Sequence, residues 1–328
     1  MTPWLDENWR ASALTWIDTV LAEHGLTVTG DIEQPHVRVW STAMRVPTSG
    51  GTYWFKANVD ACRYEAAVLP ALARLAPDRV LTPLAVDVER GWFLNPDGGR
   101  TLRSVFDSDG RDLARWEEIL AGYGQFQRDL TPYAAEFLAL GMPDSRPERL
   151  PEHLDDLLTD RPVLLIDQPN GLTTEQHEQV AALRPEFARW CTELAGLGIG
   201  PTVQHDDLQD ANVLVGDAGY RFFDWADSSV GHPFGTLLVA LRSIAYRFEL
   251  AAGSPELHRL RDAYLEPWSG DHDRATLIRA SELAYRLAKV GRGMSWRRAL
   301  DGIDPVERVE WEDAVPASLA ELLSPDLL

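Results

Sequence analysis

One stretch, Gln204 to Asp227 (QHDDLQDANVLVGDAGYRFFDWAD), concentrates the polar side chains able to do chemistry. His205, Asp206 and Asp207 come first, and Asn212 follows five residues after Asp207. Val213 to Val215 reads as a short strand, and Gly216-Asp217-Ala218-Gly219 has the composition of a tight turn. Tyr220 to Phe223 reads as the returning strand, with Asp224 at its end. A hairpin of that size would bring its flanks, Asn212 and Asp224, to one end. Two carboxylates (Asp207, Asp224) and one amide oxygen (Asn212) would then converge on a small volume. An all-oxygen set suits Mg²⁺, a hard cation that prefers carboxylates, waters and substrate phosphates.

The elements that must position these groups begin upstream. Residues 9–23 repeat apolar positions at helical spacing, with Trp9, Leu14, Trp16, Ile17 and Leu21 on one stripe. Leu26 to Ile32 suits a strand, and Val37 to Val46 suits two strands joined at Ser41-Thr42. Thr48-Ser49-Gly50-Gly51 is a turn signal. Thr52 to Ala57 (TYWFKA) alternates as a strand with Lys56 near its end, and the helix expected over Ala61 to Leu75 carries Glu65 in its first turns. Val80 to Asp87 and Gly91 to Leu94 would complete a sheet of about five strands, which Asn95-Pro96-Asp97-Gly98-Gly99 then interrupts. Beyond it the patterns are helical: residues 111–140, Leu154 to Leu158, Thr173 to Leu197, Leu237 to Phe248, Leu257 to Leu265, Arg274 to Val290 and a short helix near Ala317.

The chain is 328 residues long, enough for two lobes with a sizeable core. No run of apolar residues is long enough to span a membrane, and MTPWLDENWR carries no apolar leader. Cys62 and Cys191 lack metal-like spacing, so reduced thiols in a cytoplasmic protein are the plain expectation. A net charge of −20 argues against nucleic acid as a partner and favours a cationic small molecule through long-range steering. No obligate protein partner is evident. Of the 31 basic residues 29 are Arg, so the two lysines, Lys56 and Lys289, each invite a reason.

H-x-D-x-x-x-x-N followed by an aspartate after a hairpin resembles the catalytic loop of the protein-kinase-like fold. The fuller text HDDLQDAN…FFDWAD is similar to the aminoglycoside phosphotransferase and choline kinase branch, which usually reads H-G-D-L-H-x-x-N and then D-W. The resemblance implies an α+β fold in two lobes. Residues 1–97 would form a mainly antiparallel nucleotide-binding N-lobe with one key helix, and residues 98–328 a larger helical lobe holding the catalytic loop and the acceptor site. It further implies that Asp207 accepts or orients the proton of an acceptor hydroxyl, and that Asn212 and Asp224 hold Mg²⁺. Lys56, paired with Glu65, would contact the α- and β-phosphates of ATP, with GTP left open as the donor. Ser41 and Thr42 would lie at the phosphate turn, and Asn95 in a hinge touching the base.

The chain departs from the branch at three places: Asp206 replaces Gly, Gln209 replaces His, and His232 replaces the Asp of G-D-P. Asp206 and Asp227 are candidates for contacting a cationic acceptor, and His232 either takes over the structural support that the aspartate gives the catalytic loop, the preferred reading, or faces the substrate. The glycine-rich loop, D-F-G and A-P-E segments of protein kinases are not readable. The resemblance thus implies a small-molecule kinase acting on an aminoglycoside-like or other antibiotic, with the corresponding resistance role. A metabolic kinase of an amino sugar, sugar or amino alcohol shares every motif, and a non-catalytic nucleotide-binding module is the alternative of a different class.

Overall fold

The computed structural model describes residues 2–216 and 219–328, so Asp217 and Ala218, the centre of the expected hairpin turn, lie outside the described residues. The fold is α+β, and the chain gathers into two compact units. The first comprises Met1–Gly99, Leu214–Ala226 and Arg298–Trp311; the second comprises Arg100–Val213, Asp227–Arg297 and Glu312–Leu328.

The first unit is built on a five-stranded antiparallel sheet of order β1 (Glu33–Val37), β2 (Ser41–Thr48), β3 (Gly51–Asn58), β5 (Trp92–Pro96) and β4 (Ala85–Asp87). Helix α1 (Glu7–Glu23) opens on Asp6, whose carboxylate accepts the N–H groups of Asn8 and Trp9. It buries Ala13, Ile17 and Leu21 against Met44, Val46, Phe55, Ala57, Trp92 and Leu94. Because successive strand side chains alternate in direction, Phe55 and Ala57 face this core while Trp54, Lys56 and Asn58 face the other side. Helix α2 (Tyr64–Leu75) follows β3 and places Glu65 in its first turn.

Three local expectations change. The turn between β1 and β2 lies at Val39-Trp40, closed by the Arg38 N–H donating to the Ser41 carbonyl at 2.8 Å, so Ser41 and Thr42 lie inside β2 and are buried. Val39 and Trp40 carry no turn chemistry; burial of Val39 and packing of Trp40 on Trp311 hold them there. Leu26 to Ile32 forms one isolated bridge, Val28 with Thr48, rather than a strand. Asn95 continues β5, opposite Trp54, where a break was expected, because Pro96 is tolerated at the strand's end.

The second unit is mainly helical. Leu237–Phe248 and the turn-plus-helix at Thr131–Tyr133 and Ala134–Ala139 fall where the pattern puts them. The helix expected over Thr173 to Leu197 is two, Thr174–Ala182 and Arg184–Gly196, because Pro185 starts a new helix rather than continuing the old one. The helix expected to end at Val290 runs on as Arg274–Ala299, through Gly291 and Gly293. Its partner surface explains this: a Cβ at Gly293 would lie 3.1 Å from Leu157, so the glycine serves close packing rather than termination. A small sheet pairs Ser229–Gly231 antiparallel with Thr202–Gln204 and parallel with Asp144–Ser145, so its first and last strands flank residues 205–228 in sequence.

Candidate active site

In the first unit, Lys56 stands on β3 between two carboxylates. Its ammonium donates to Glu65 Oε2 at 2.7 Å and to Asp224 Oδ1 at 2.6 Å. Glu65, with 1% of its side chain exposed, also accepts from Asn58 Nδ2 at 2.7 Å and from the Trp225 backbone N–H at 2.8 Å. Tyr64 donates its hydroxyl to the Ala226 carbonyl. Helix α2 is thereby tied to the 224–226 segment through both of its first residues. Burial pulls the Lys56 ammonium downward, yet Asp224 and Glu65 together carry it above the ordinary lysine value, so it is charged at neutral pH. Burial pushes the Glu65 carboxyl up against the opposing pull of Lys56. Asp224 adopts φ 66°, a left-handed conformation uncommon for a non-glycine residue and one that Asp tolerates better than most. Its side chain remains 41% exposed.

Trp54 belongs to the same face as Lys56, two residues before it, with its indole N–H donating to Asp97 at 3.3 Å. Asn95 pairs across from it, and its buried Oδ1 has no hydrogen-bond partner among the described residues. Ser41 and Thr42 do not form a phosphate turn. Thr42 donates its hydroxyl to the His36 carbonyl and accepts from Gln34, while Ser41 lies 3.3 Å from the His36 ring.

In the second unit, three donors fix the Asp207 carboxylate. Asn212 Nδ2 and Gln209 Nε2 donate to Oδ2 at 2.9 and 2.8 Å, and Arg292 Nη2 donates to Oδ1 at 3.2 Å. The Asp207 N–H donates to the buried His205 ring at 3.2 Å. Gln209 is anchored in turn by Arg103, which also pairs with the buried Asp210, and Arg247 holds the other oxygen of Asp210. The glutamine that replaces histidine is therefore a link between the base candidate and a fixed guanidinium.

The remaining acidic candidates are engaged. Asp206, 5% exposed, accepts from Gln204 and from the Ser229 hydroxyl, the latter at 2.8 Å. Asp227 accepts from Ser295 and pairs with Arg292 at 3.6 Å. His232 is buried, and its Nδ1 accepts the Phe234 N–H at 3.2 Å as the cap of the Pro233–Thr236 turn. Burial, with His272 adding, pulls its ring down to about 3, so it is neutral. It lines a small cavity of about 10 Å³ with Ser145, Gln204 and Gly291. A side chain at Gly235 would collide with Gln204, so the G-H-P-F-G run is shaped around that glutamine. His232 and Asp206 are thus buried, with Nδ1 of the one and both carboxylate oxygens of the other bonded within the protein.

The two residues that the resemblance assigns to an ion, Asn212 in the second unit and Asp224 in the first, each offer oxygen ligands only. Asn212 commits its NH₂ to Asp207, which leaves the amide oxygen as the outward acceptor, and Asp224 supplies a partly exposed carboxylate. Among the described residues no three His, Cys, Asp or Glu side chains form a ready-made cage. So sparse a set fits Mg²⁺, which usually completes its shell with water and substrate phosphates.

Sequence reading missed Arg292 because the helix pattern seemed to end before it. Its signal was available: Arg292, Ser295 and Trp296 stand at i, i+3 and i+4, one face of a helix. It also passed over Trp54, whose strand alternation with Lys56 was readable.

Comparison with known proteins now adds to this geometry. No curated protein sequence matches. Among solved structures, an ethanolamine kinase from Plasmodium vivax superposes with a TM-score of 0.62 at 12% identity, covering 95% of this chain and 89% of its own. A choline/ethanolamine kinase family protein from Mesorhizobium loti gives 0.60 at 18% identity, covering 95% of each chain. An amicoumacin kinase in complex with AMP-PNP and Ca²⁺ gives 0.56 at 12% identity, covering 96% and 95%. These likenesses establish a kinase-like fold. Residues 41–278 match the sequence pattern described as the phosphotransferase enzyme family, and with most of the chain matched, this protein is a member of that family.

Proposed function

We propose that the chain is an ATP- and Mg²⁺-dependent phosphotransferase that moves the γ-phosphoryl group to a hydroxyl of a small molecule. The observation that supports this most strongly is Lys56 held between Glu65 and Asp224, residues separated by up to 168 positions yet joined at 2.6–2.7 Å. Such a lysine is pre-positioned to meet phosphate oxygens without reorganisation. The AMP-PNP and Ca²⁺ carried by the amicoumacin kinase structure favour the same donor and ion type. We assign Trp54 to stack on the nucleobase and the unpartnered Asn95 oxygen to accept from its edge.

In this reading Asp207 takes the proton of the acceptor hydroxyl as its oxygen bonds to the γ-phosphorus and the bond to the β-phosphate oxygen breaks. Asn212, Gln209 and Arg292 keep the carboxylate aligned for that step. Mg²⁺ would supply neutralisation of phosphate charge, with Asn212 in the second unit and Asp224 in the first as its candidate oxygen donors. A general base of this kind is worth about 10²–10⁴-fold. The test is ATP consumption over a panel of sugars, hydroxy acids, amino alcohols, aminoglycosides and macrolides. Asp207→Asn should lower turnover by at least 10²-fold with nucleotide affinity intact; undiminished turnover would overturn the assignment.

A further inference from the structure

We propose that Arg292 is a built-in cation that sets acceptor specificity: it fills the place beside Asp207 where an acceptor's ammonium group would bind, so the substrate is an alcohol without a cationic group next to its reacting oxygen, such as a neutral sugar or polyol. The inference rests on the phosphotransferase reading above and names the acceptor class of that site.

Recognition of an ammonium near Asp207 would call on Asp206, Asp207 itself and Asp227. Asp206 is buried and bonded by Gln204 and Ser229. Asp227 takes Ser295 on one oxygen and faces Arg292 with the other at 3.6 Å. Asp207 takes Arg292 at 3.2 Å. A single guanidinium therefore serves both carboxylates that retain exposure, which are 18% and 29% exposed.

Arg292 is also fixed in place. Its Nη1 donates to the Asp206 carbonyl at 3.2 Å, and its Cζ lies 4.9 Å from the centroid of the Trp296 ring, one turn along the same helix. An incoming ammonium would have to displace it from the loop carbonyl, both carboxylates and the indole, or sit beside a like charge. A neutral hydroxyl meets neither penalty, whereas a carboxylate would compete with Asp207 and Asp227 for the guanidinium they already share. This reverses what the chain's net charge suggests at long range. The global field draws cations toward the protein, while the group nearest the base is itself a cation.

The test compares acceptors matched in shape whose reacting hydroxyl is flanked by a neutral group, a carboxylate or an ammonium. It uses the full chain and its Arg292→Ala and Arg292→Lys variants, with circular dichroism as the folding control. Wild type should favour the neutral alcohol over its ammonium-bearing match by at least about tenfold in kcat/KM, the least that a like-charge contact should cost. Arg292→Ala should erase most of that preference, mainly by lowering KM for ammonium-bearing acceptors, and added methylguanidine should restore it. Arg292→Lys should keep the ranking. A wild type that prefers amines overturns the inference even if Arg292→Ala does not fold, as does an unchanged ranking in a folded Arg292→Ala. No transfer to any acceptor above the Asp207→Asn background overturns the phosphotransferase reading itself.

Discussion

At the candidate site each unit sets a cation between two carboxylates, and the surroundings of the two differ. Lys56 joins Glu65 and Asp224 in the first unit; Arg292 joins Asp207 and Asp227 in the second. Glu65 is 1% exposed and accepts from three donors, so the lysine neutralises a charge that water does not reach. Asp207 and Asp227 keep contact with solvent, and the arginine aligns them more than it rescues them. A buried pair of the first kind is expensive to break because the remaining charge has no solvent to return to. A partly exposed pair of the second kind yields more modestly and leaves its mark on function.

The sharpest way to break that contrast is to delete each cation. Lys56→Met should destabilise the protein by about 3–5 kcal/mol, as removal of one partner from a buried pair does. Arg292→Met should cost only about 1–2 kcal/mol, the scale of hydrogen bonds to a charged group. Urea unfolding of the two variants at constant m-value measures both. Equal losses would mean that the two sites are energetically alike, and the distinction between a neutralising lysine and an aligning arginine would fall.

The same contrast explains what could be read beforehand. Lys56, Glu65, Asp207, Asn212 and Asp224 stand in short motifs with fixed spacing, and Lys56 was marked further by the scarcity of lysine. The structure joins Lys56, Glu65 and Asp224 in one unit and Asp207 and Asn212 in the other. Arg292 was hidden for two reasons. It is one of 29 arginines, and it follows Gly291, which in a helical pattern signals an end. Tertiary packing overrode that signal, as it overrode the absence of turn residues at Val39-Trp40. The burial of Asp206 was illegible because it depends on Gln204 and Ser229 lying within hydrogen-bond reach, whereas a structural role was the preferred reading of His232, whose ring accepts the Phe234 N–H. Lys289, the other lysine, proves structural: buried, it donates to Asp326 at 2.6 Å and to the Glu321 carbonyl at 2.8 Å.

His232 gives a pH test confined to the second unit. Its ring stays neutral down to about 3 in the fold, whereas an unfolded histidine titrates near 6.5. The unfolded chain therefore binds a proton that the native state refuses as pH falls below 6.5, and stability declines through that window toward 3. By pH 4.5 the loss relative to pH 7.5 should be about 2–3 kcal/mol from this residue. His232→Asn should remove that part of the slope while leaving the remainder. If wild type and variant lose stability in parallel between pH 6.5 and 4.5, the ring is not held neutral.

The smallest expected effect tests how Arg292 is carried. Gly291 and Gly293 flank it inside the Arg274–Ala299 helix, where glycine costs about 1 kcal/mol relative to alanine. A Cβ at Gly291 would meet nothing within 4 Å, so Gly291→Ala should raise stability by about 0.5–1 kcal/mol, chiefly by reducing the freedom of the unfolded chain. A Cβ at Gly293 would lie 3.1 Å from Leu157 and 3.5 Å from Ser318, so there the crowding should cancel the gain or exceed it. The urea midpoints of the two variants check the difference in sign. The acceptor ranking of Gly291→Ala adds a sharper reading. If the helix is already fixed by its packing, stiffening the backbone before Arg292 leaves the ranking unmoved. If the ranking shifts, the guanidinium depends on give at Gly291 to reach Asp207 and Asp227, and the cation of the second unit is held less firmly than its distances imply.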